Sequence, residues 1–266
     1  MLNCLKSDFY RVFKSKSFYI CLGVTAGASL LFILILGIAE ASLNGKFMFG
    51  FGMASNVVAI TTAIFVSIFV TSDYSSGMMK NYVSGSISRT KIYFSKYIVC
   101  LTIPIIFLLA STLLSGLAGT AAFGYGVAFS GAEFAEIIIK ILLGILLLSA
   151  FVSLFFFFAV WVRSPGGVIA INISMLMVVD LILLILAFSI PSLRNIPDYW
   201  LTQNISDVAF SFLNNPFASG DGITVIFGSG VNLIKDIWLR VFLVGVIYTV
   251  IATVPAYALF ITKDVR

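Results

Sequence analysis

Six long apolar runs divide the chain, and their length is the feature that most limits its fold. They cover residues 18–39, 54–71, 98–120, 137–162, 168–190 and 237–262. A helix that rises about 1.5 Å per residue needs roughly 20 residues to cross the ~30 Å hydrocarbon layer of a bilayer. The runs lack the alternating pattern of barrel strands, so only helices would satisfy their backbone amides in lipid. The sequence therefore predicts an all-α polytopic membrane protein with six transmembrane helices.

The distribution of basic residues predicts the orientation of these spans. Eleven of the sixteen Lys and Arg residues fall on the side of the predicted bundle that carries both chain ends. Because cytoplasmic loops are enriched in Lys and Arg, we expect cytoplasmic N- and C-termini in a multi-pass protein of the plasma (inner) membrane. The net charge of +5 then reflects topology, and we expect no nucleic-acid partner. The three cysteines fall near the inner face, where we expect them to stay reduced.

The first 17 residues predict an amphipathic helix in the inner membrane interface, ahead of a transmembrane domain over residues 18–266. One face of such a helix collects Leu2, Leu5, Phe9, Val12 and Phe13. We expect this face among lipid acyl chains, with the lysines of the helix near anionic headgroups. A basic flank that only sets the orientation of the first span is the alternative.

The segment 73–96, between the second and third spans, predicts a short cytoplasmic helix. Met78, Met79, Tyr82 and Val83 give this helix an apolar face. An apolar face in the cytoplasm either folds back onto the bilayer or inserts into the groove of a partner protein.

Several kinds of chemistry are excluded by residues that the sequence does not contain. The chain has no histidine, which removes Ser-His-Asp triads and His-ligated zinc sites. Its Gly45–Lys46 pair is followed by Phe47, so the phosphate-binding Gly-Lys-Ser/Thr motif is missing. We therefore expect that this chain is not an enzyme and binds no cofactor or metal itself.

Asp180 lies near the middle of the fifth predicted span. A carboxylate there costs about 2.5–3.5 kcal/mol, so it should face protein or water. No Lys or Arg is predicted at that depth, and we expect hydroxyl partners such as Thr61, Thr62, Ser111, Ser149 or Tyr248. Asp180, with Asn172 as a weaker companion, either lines a translocation path or is protonated and joins helices through hydrogen bonds. Both interpretations are open. The outer segment 191–236 should form short helices or a re-entrant stretch.

The segment between the second and third spans also carries a recognisable motif. Asp73-x-x-x-Gly77-Met78-Met79-Lys80, followed by Ser88-Arg89 and Lys96, resembles the signature of ABC-2-type permeases, the membrane subunits of ATP-binding-cassette exporters. The resemblance implies a fold similar to that of type V ABC exporters. It also implies an assembly of two permeases, identical or different, with two ATPase subunits that bind the ATP and Mg²⁺.

By this resemblance, the cytoplasmic helix is a coupling helix seated in a cleft of the ATPase. The residues implied at or near that contact are Asp73, Gly77, Met78, Met79, Lys80 and Tyr82. Arg89 and Lys96 would anchor the element below the third span. A rigid lever of this kind can transmit closure of the ATPase to the spans and produce alternating access.

The main functional hypothesis is the permease subunit of an ATP-driven exporter for a peptide, an antibiotic or another amphipathic molecule. Similar small permeases serve in bacteriocin immunity or peptide-antibiotic resistance. A non-transporting immunity or anchor protein is one alternative. An ion-coupled secondary transporter that uses Asp180 is another, although the sequence has no visible repeat symmetry to support it.

Overall fold

The computed structural model describes residues 2–38, 46–77, 88–123, 131–190, 193, 196–210 and 238–262. Within this part of the chain the secondary structure is helical. The α-helices are α1 (Leu2–Lys14), α2 (Lys16–Ile38), α3 (Lys46–Ser75), α4 (Arg89–Phe123), α5 (Gly131–Val162), α6 (Pro165–Ser189), α7 (Leu201–Phe210) and α8 (Trp238–Thr262). A short 3-10 helix, Pro197–Tyr199, precedes α7.

Five of these helices, α3, α4, α5, α6 and α8, are long and apolar enough to cross a membrane. Helix α2 lies at the first predicted span, and its described apolar part, Lys16–Leu31, is shorter than the other five. A polytopic helical membrane protein is therefore confirmed. The sixth span and the type V fold stay predictions. We call the end of the bundle that carries α1 the inner end, following the predicted orientation.

The spans pack around an apolar core. Helix α3 contacts α2, α4, α5 and α6, and α8 packs mainly on α5. A Cβ atom added to Gly245 of α8 would lie 2.9 Å from Cγ of Leu146 on α5, so glycine permits the close approach of these helices. Helix α6 is the least buried span, which leaves much of its surface for lipid or for another subunit.

Helix α1 lies against the inner end of the bundle. Val12 is buried, and Leu5 and Phe9 pack against the core, whereas Phe13 is largely exposed. The apolar stripe therefore faces the protein over much of its length, rather than lying wholly among acyl chains. Asp8 falls on the same stripe and is buried with it. A buried carboxylate on this face needs a partner, and the neighbouring helices supply one.

The described residues of the outer segment include the 3-10 helix Pro197–Tyr199 and the helix α7. Leu201 and Ile205 of α7 are buried, and α7 packs on α3 and α5. Arg240, at the start of α8, pairs with Asp198 at 3.1 Å and with Asp207 at 2.6 Å. These ion pairs attach the outer segment to the last span.

Candidate coupling site

Four charged side chains from three helices meet at the inner end of the bundle. Asp73 of α3 binds Arg11 of α1 through Oδ1 and Lys96 of α4 through Oδ2. The Lys96 ammonium also lies 3.7 Å from Oδ1 of Asp8, and the hydroxyl of Ser95 donates a 2.8 Å hydrogen bond to Oδ2 of Asp8. We call Asp8, Arg11, Asp73 and Lys96 the inner ion cluster.

The inner ion cluster is buried and its charges are balanced, so it joins the helices α1, α3 and α4. Asp73 and Lys96 are fully buried, and Asp8 is nearly so. Two carboxylates face two cations, so the cluster is electrically neutral. The Phe69 ring adds a cation-π surface, with its centroid 5.3 Å from Nζ of Lys96 and 5.7 Å from Cζ of Arg11. Because a buried charge without a partner is costly, each of these side chains holds the others in place.

Local sequence explains how the cluster is positioned. Asp8 and Arg11 are three residues apart on α1, so both project toward the bundle from one face. Asp73 lies in the last turn of α3, which ends at Ser75. Gly77 follows with φ of +70°, the left-handed conformation that glycine adopts without steric cost. The chain thus leaves α3 directly after the residue that binds α1 and α4.

The start of α4 is also attached to the end of α8. Arg89 donates a 2.6 Å hydrogen bond from Nη1 to the carbonyl oxygen of Ile261, in the last turn of α8. Tyr93 donates from its hydroxyl to the Thr253 carbonyl at 3.2 Å. A cation at the carboxyl end of a helix is favoured by the exposed carbonyls there. Movement of the α4 start is therefore tied to α8.

A further contact links α3 to the inner turn between α5 and α6. The guanidinium of Arg163 lies 4.9 Å from the centroid of the Tyr74 ring. Arg163 has φ of +61°, a backbone conformation that is uncommon for a residue other than glycine. The end of α3 thus contacts α1, α4 and this turn.

The structure places the predicted coupling residues in different surroundings. Asp73 and Lys96 meet in the inner ion cluster, Arg89 lies at α8, and Gly77 follows α3. The remaining predicted residues, Met78, Met79, Lys80 and Tyr82, lie outside the described residues. Because Asp73 and Lys96 are fully buried, they are not free to touch another protein directly.

Sequence reasoning missed Asp8 and Arg11 as members of this site. Asp8 was detectable in principle, because it is an acid on the apolar stripe of an amphipathic helix. Such a residue either distorts the helix or finds a cation in the protein that it faces. Arg11 gives no comparable signal, since a basic residue beside the apolar stripe is ordinary in an amphipathic helix at a membrane interface.

Asp180 finds a partner that was not among those predicted. The indole Nε1 of Trp200 donates a 2.6 Å hydrogen bond to Oδ1 of Asp180. Tyr248, one of the predicted partners, contacts Trp200, and the centroids of their two rings are 5.9 Å apart. The short outer helices therefore fold back against α6 and bring Trp200 to the acid.

Asn172 lies apart from Asp180. Its Nδ2 donates a 2.9 Å hydrogen bond to the hydroxyl of Ser67 on α3. Eight residues of helix separate Asn172 from Asp180, or about 12 Å along the axis of α6. The two residues thus occupy different environments, with Asn172 joining α3 and α6 in the core.

The chain was compared with known proteins. Residues 4–181 match the family model described as ABC-2 family transporter protein. The chain belongs to this family. The matched region contains the whole inner ion cluster and ends one residue after Asp180. A comparison with curated proteins finds no match.

Membership gives the general role of the chain. ABC-2 permeases are membrane subunits without an ATPase site of their own, and the family implies an ABC ATPase as partner. The chain is accordingly a permease component of an ABC transporter and a multi-pass membrane protein.

Proposed function

We propose that this ABC-2 protein is the permease subunit of an ATP-driven exporter. It would move a peptide, an antibiotic or another amphipathic molecule by alternating access, with ATP and Mg²⁺ bound by a separate ATPase subunit. A second permease, identical or different, would complete the conduit, with membrane lipid around it. Bacteriocin immunity or antibiotic resistance is the biological role that we infer for this activity.

The observation that carries the proposal is the inner ion cluster beside the predicted coupling segment. Asp73 and Lys96 are the first and last residues of that segment, 73–96, and these residues bind each other. The ends of α3 and α4 are therefore held together and also held to α1 through Arg11. A segment mounted on such a base can act as a lever, because a force on it moves several helices at once.

We assign the ATPase contact to the coupling segment itself. Met78, Met79 and Tyr82 would insert into an apolar cleft of the ATPase, with Gly77 and Lys80 beside them. Asp73, Arg89 and Lys96 would serve as positioning residues that hold the base of the lever. This division agrees with the burial of Asp73 and Lys96.

The test is a double substitution, Met79→Asp with Tyr82→Asp, in the complex that the permease forms with its ATPase. Two carboxylates in an apolar cleft are costly to bury, so export should fall at least tenfold while the permease still inserts in the membrane. The matched control is Met79→Leu with Tyr82→Phe, which keeps the apolar face and should keep export. Wild-type export by the charged variant would refute the coupling role.

Two measurements separate this proposal from the alternatives. An exporter subunit should copurify with an ABC ATPase and transport in response to ATP. A non-transporting immunity or anchor protein would do neither, and an ion-coupled transporter would respond to a proton or sodium gradient without ATP.

A further inference from the structure

A small cavity lies between α6 and the outer helices, away from the inner ion cluster. Its volume is about 100 Å³. The side chains around it include an acid, an aromatic ring, polar groups and two leucines: Asp180, Trp200, Thr202, Gln203, Leu183 and Leu184. This combination suits a molecule with a charged head and a carbon chain.

Charge indicates which kind of head the cavity accepts. Among the described residues, no Lys or Arg forms an ion pair with Asp180, whose Oδ1 accepts the hydrogen bond from Trp200. Arg240, the base that contacts the same outer segment, is already paired with Asp198 and Asp207. The carboxylate of Asp180 therefore lacks a cation within the described part of the protein. Intramembrane acids mark substrate, ion or proton paths, and a carboxylate attracts a cation.

We propose that this cavity binds the primary ammonium group of an amphipathic molecule. An ammonium group has three N–H donors, and the Asp180 carboxylate, the Thr202 hydroxyl and the Gln203 amide oxygen are acceptors around the cavity. Leu183 and Leu184 offer an apolar wall to the first carbons of the chain. A volume of about 100 Å³ accommodates a head and a few carbons, since one water occupies about 30 Å³.

This inference rests on the proposed function in one respect, because it takes the occupant to be an exported molecule. A membrane lipid with an aminoethyl headgroup carries the same ammonium chemistry. The site itself requires only the ammonium group, and the source of that group is a separate question for the experiment.

Trp200 provides a direct probe of the cavity. The chain has three tryptophans, and the other two, Trp161 and Trp238, are exposed. Their replacement by Phe leaves Trp200 as the single tryptophan of the full-length protein. This protein is placed in phosphatidylcholine nanodiscs and titrated with dodecylammonium. We expect a saturable change in Trp200 fluorescence with dodecylammonium. Dodecanol, which has the same chain but no charge, should change this fluorescence without reaching saturation.

The decisive variant is Asp180→Asn. Asparagine keeps an oxygen that can accept from the Trp200 indole but removes the charge, so the Kd for dodecylammonium should rise at least tenfold. Asp198→Asn is the matched control, since it removes an outer carboxylate that does not line the cavity, and it should leave the Kd unchanged. A Kd within twofold of the parent protein in Asp180→Asn would overturn the proposal. Equal saturation by dodecanol would overturn it even if that variant failed to fold.

Nanodiscs that contain phosphatidylethanolamine identify the source of the ammonium group. If this lipid raises the dodecylammonium concentration needed for half-saturation, the two compete, which would support an ammonium site occupied by lipid. If that concentration is the same as in phosphatidylcholine alone, the result would support a site for a free amphipathic amine. The outcome is separable from the proposed function. A permease that copurifies with its ATPase and exports, yet shows no saturable amine binding, would refute this inference alone.

Discussion

The inner ion cluster allows a quantitative prediction about Asp73→Asn. The substitution keeps the shape of the side chain and removes one of the two negative charges of the inner ion cluster, so that Asp8, at 3.7 Å, is the acid of the cluster left near the fully buried Lys96. Breaking a buried pair by neutralising one partner costs about 3–5 kcal/mol. Arg11 is 30% exposed and can turn toward water, so we expect the lower end, about 3 kcal/mol.

A second substitution tests whether that cost comes from loss of the Lys96–Asp73 ion pair. Lys96→Met in the Asp73→Asn background removes the buried cation, and replacing both partners of a buried pair is often close to neutral. We therefore expect the double variant to lose about 2 kcal/mol less than the sum of the losses in Asp73→Asn and Lys96→Met, a coupling energy typical of residues in contact.

The assay is the free energy of unfolding of the full-length protein in mixed micelles titrated with sodium dodecyl sulfate. Asp198→Asn is the control, because its pair with Arg240 is 41% exposed at the carboxylate and such pairs contribute about 0–1 kcal/mol. A loss below about 1 kcal/mol in Asp73→Asn, or a double variant whose loss equals the sum of the two single losses, would refute the reasoning.

Three further predictions use the same unfolding measurement. Arg89→Gln should lose about 1.5 kcal/mol, because it removes the charged donor to the Ile261 carbonyl; a loss near zero would contradict the role of that bond. Gly245→Ala should cost about 1–3 kcal/mol by forcing α8 from a leucine of α5, whereas Gly23→Ala, with open space around its Cβ position, should cost nothing. Asn172→Leu should cost about 0.6 kcal/mol, a typical interhelical hydrogen bond in a membrane protein, and a loss above 3 kcal/mol would indicate a larger role.

Sequence sufficed for the helical class because a bilayer imposes a length that hydropathy records directly. It also singled out Asp73 and Lys96, through a motif. What the sequence did not contain is which charges meet. Asp8 and Lys96 are 88 positions apart in the chain, and only the packing of α1 on α4 brings them to 3.7 Å.

The same limit applies to Asp180. Its depth in a span was predictable, and so was the need for a polar partner. The partner, however, comes from an outer segment whose return toward α6 depends on the packing of α7 against α3 and α5. No periodicity in the sequence encodes that return, so hydroxyls on other spans were favoured over Trp200.

The two acids of the bundle that were singled out from the sequence thus differ in a way that bears on mechanism. Asp73 is fully buried and held by two cations, so separating it from them is costly and the inner ion cluster should move as one unit. Asp180 accepts a hydrogen bond from the neutral indole of Trp200 beside a cavity, so among the described residues a cation can approach it without breaking an ion pair. A transporter needs both properties, a rigid joint where force enters and an adaptable site where cargo binds. Neither environment could serve in the other position. A loosely held acid at the inner end would not transmit force between helices, and an acid already neutralised by two cations would not attract a cationic substrate.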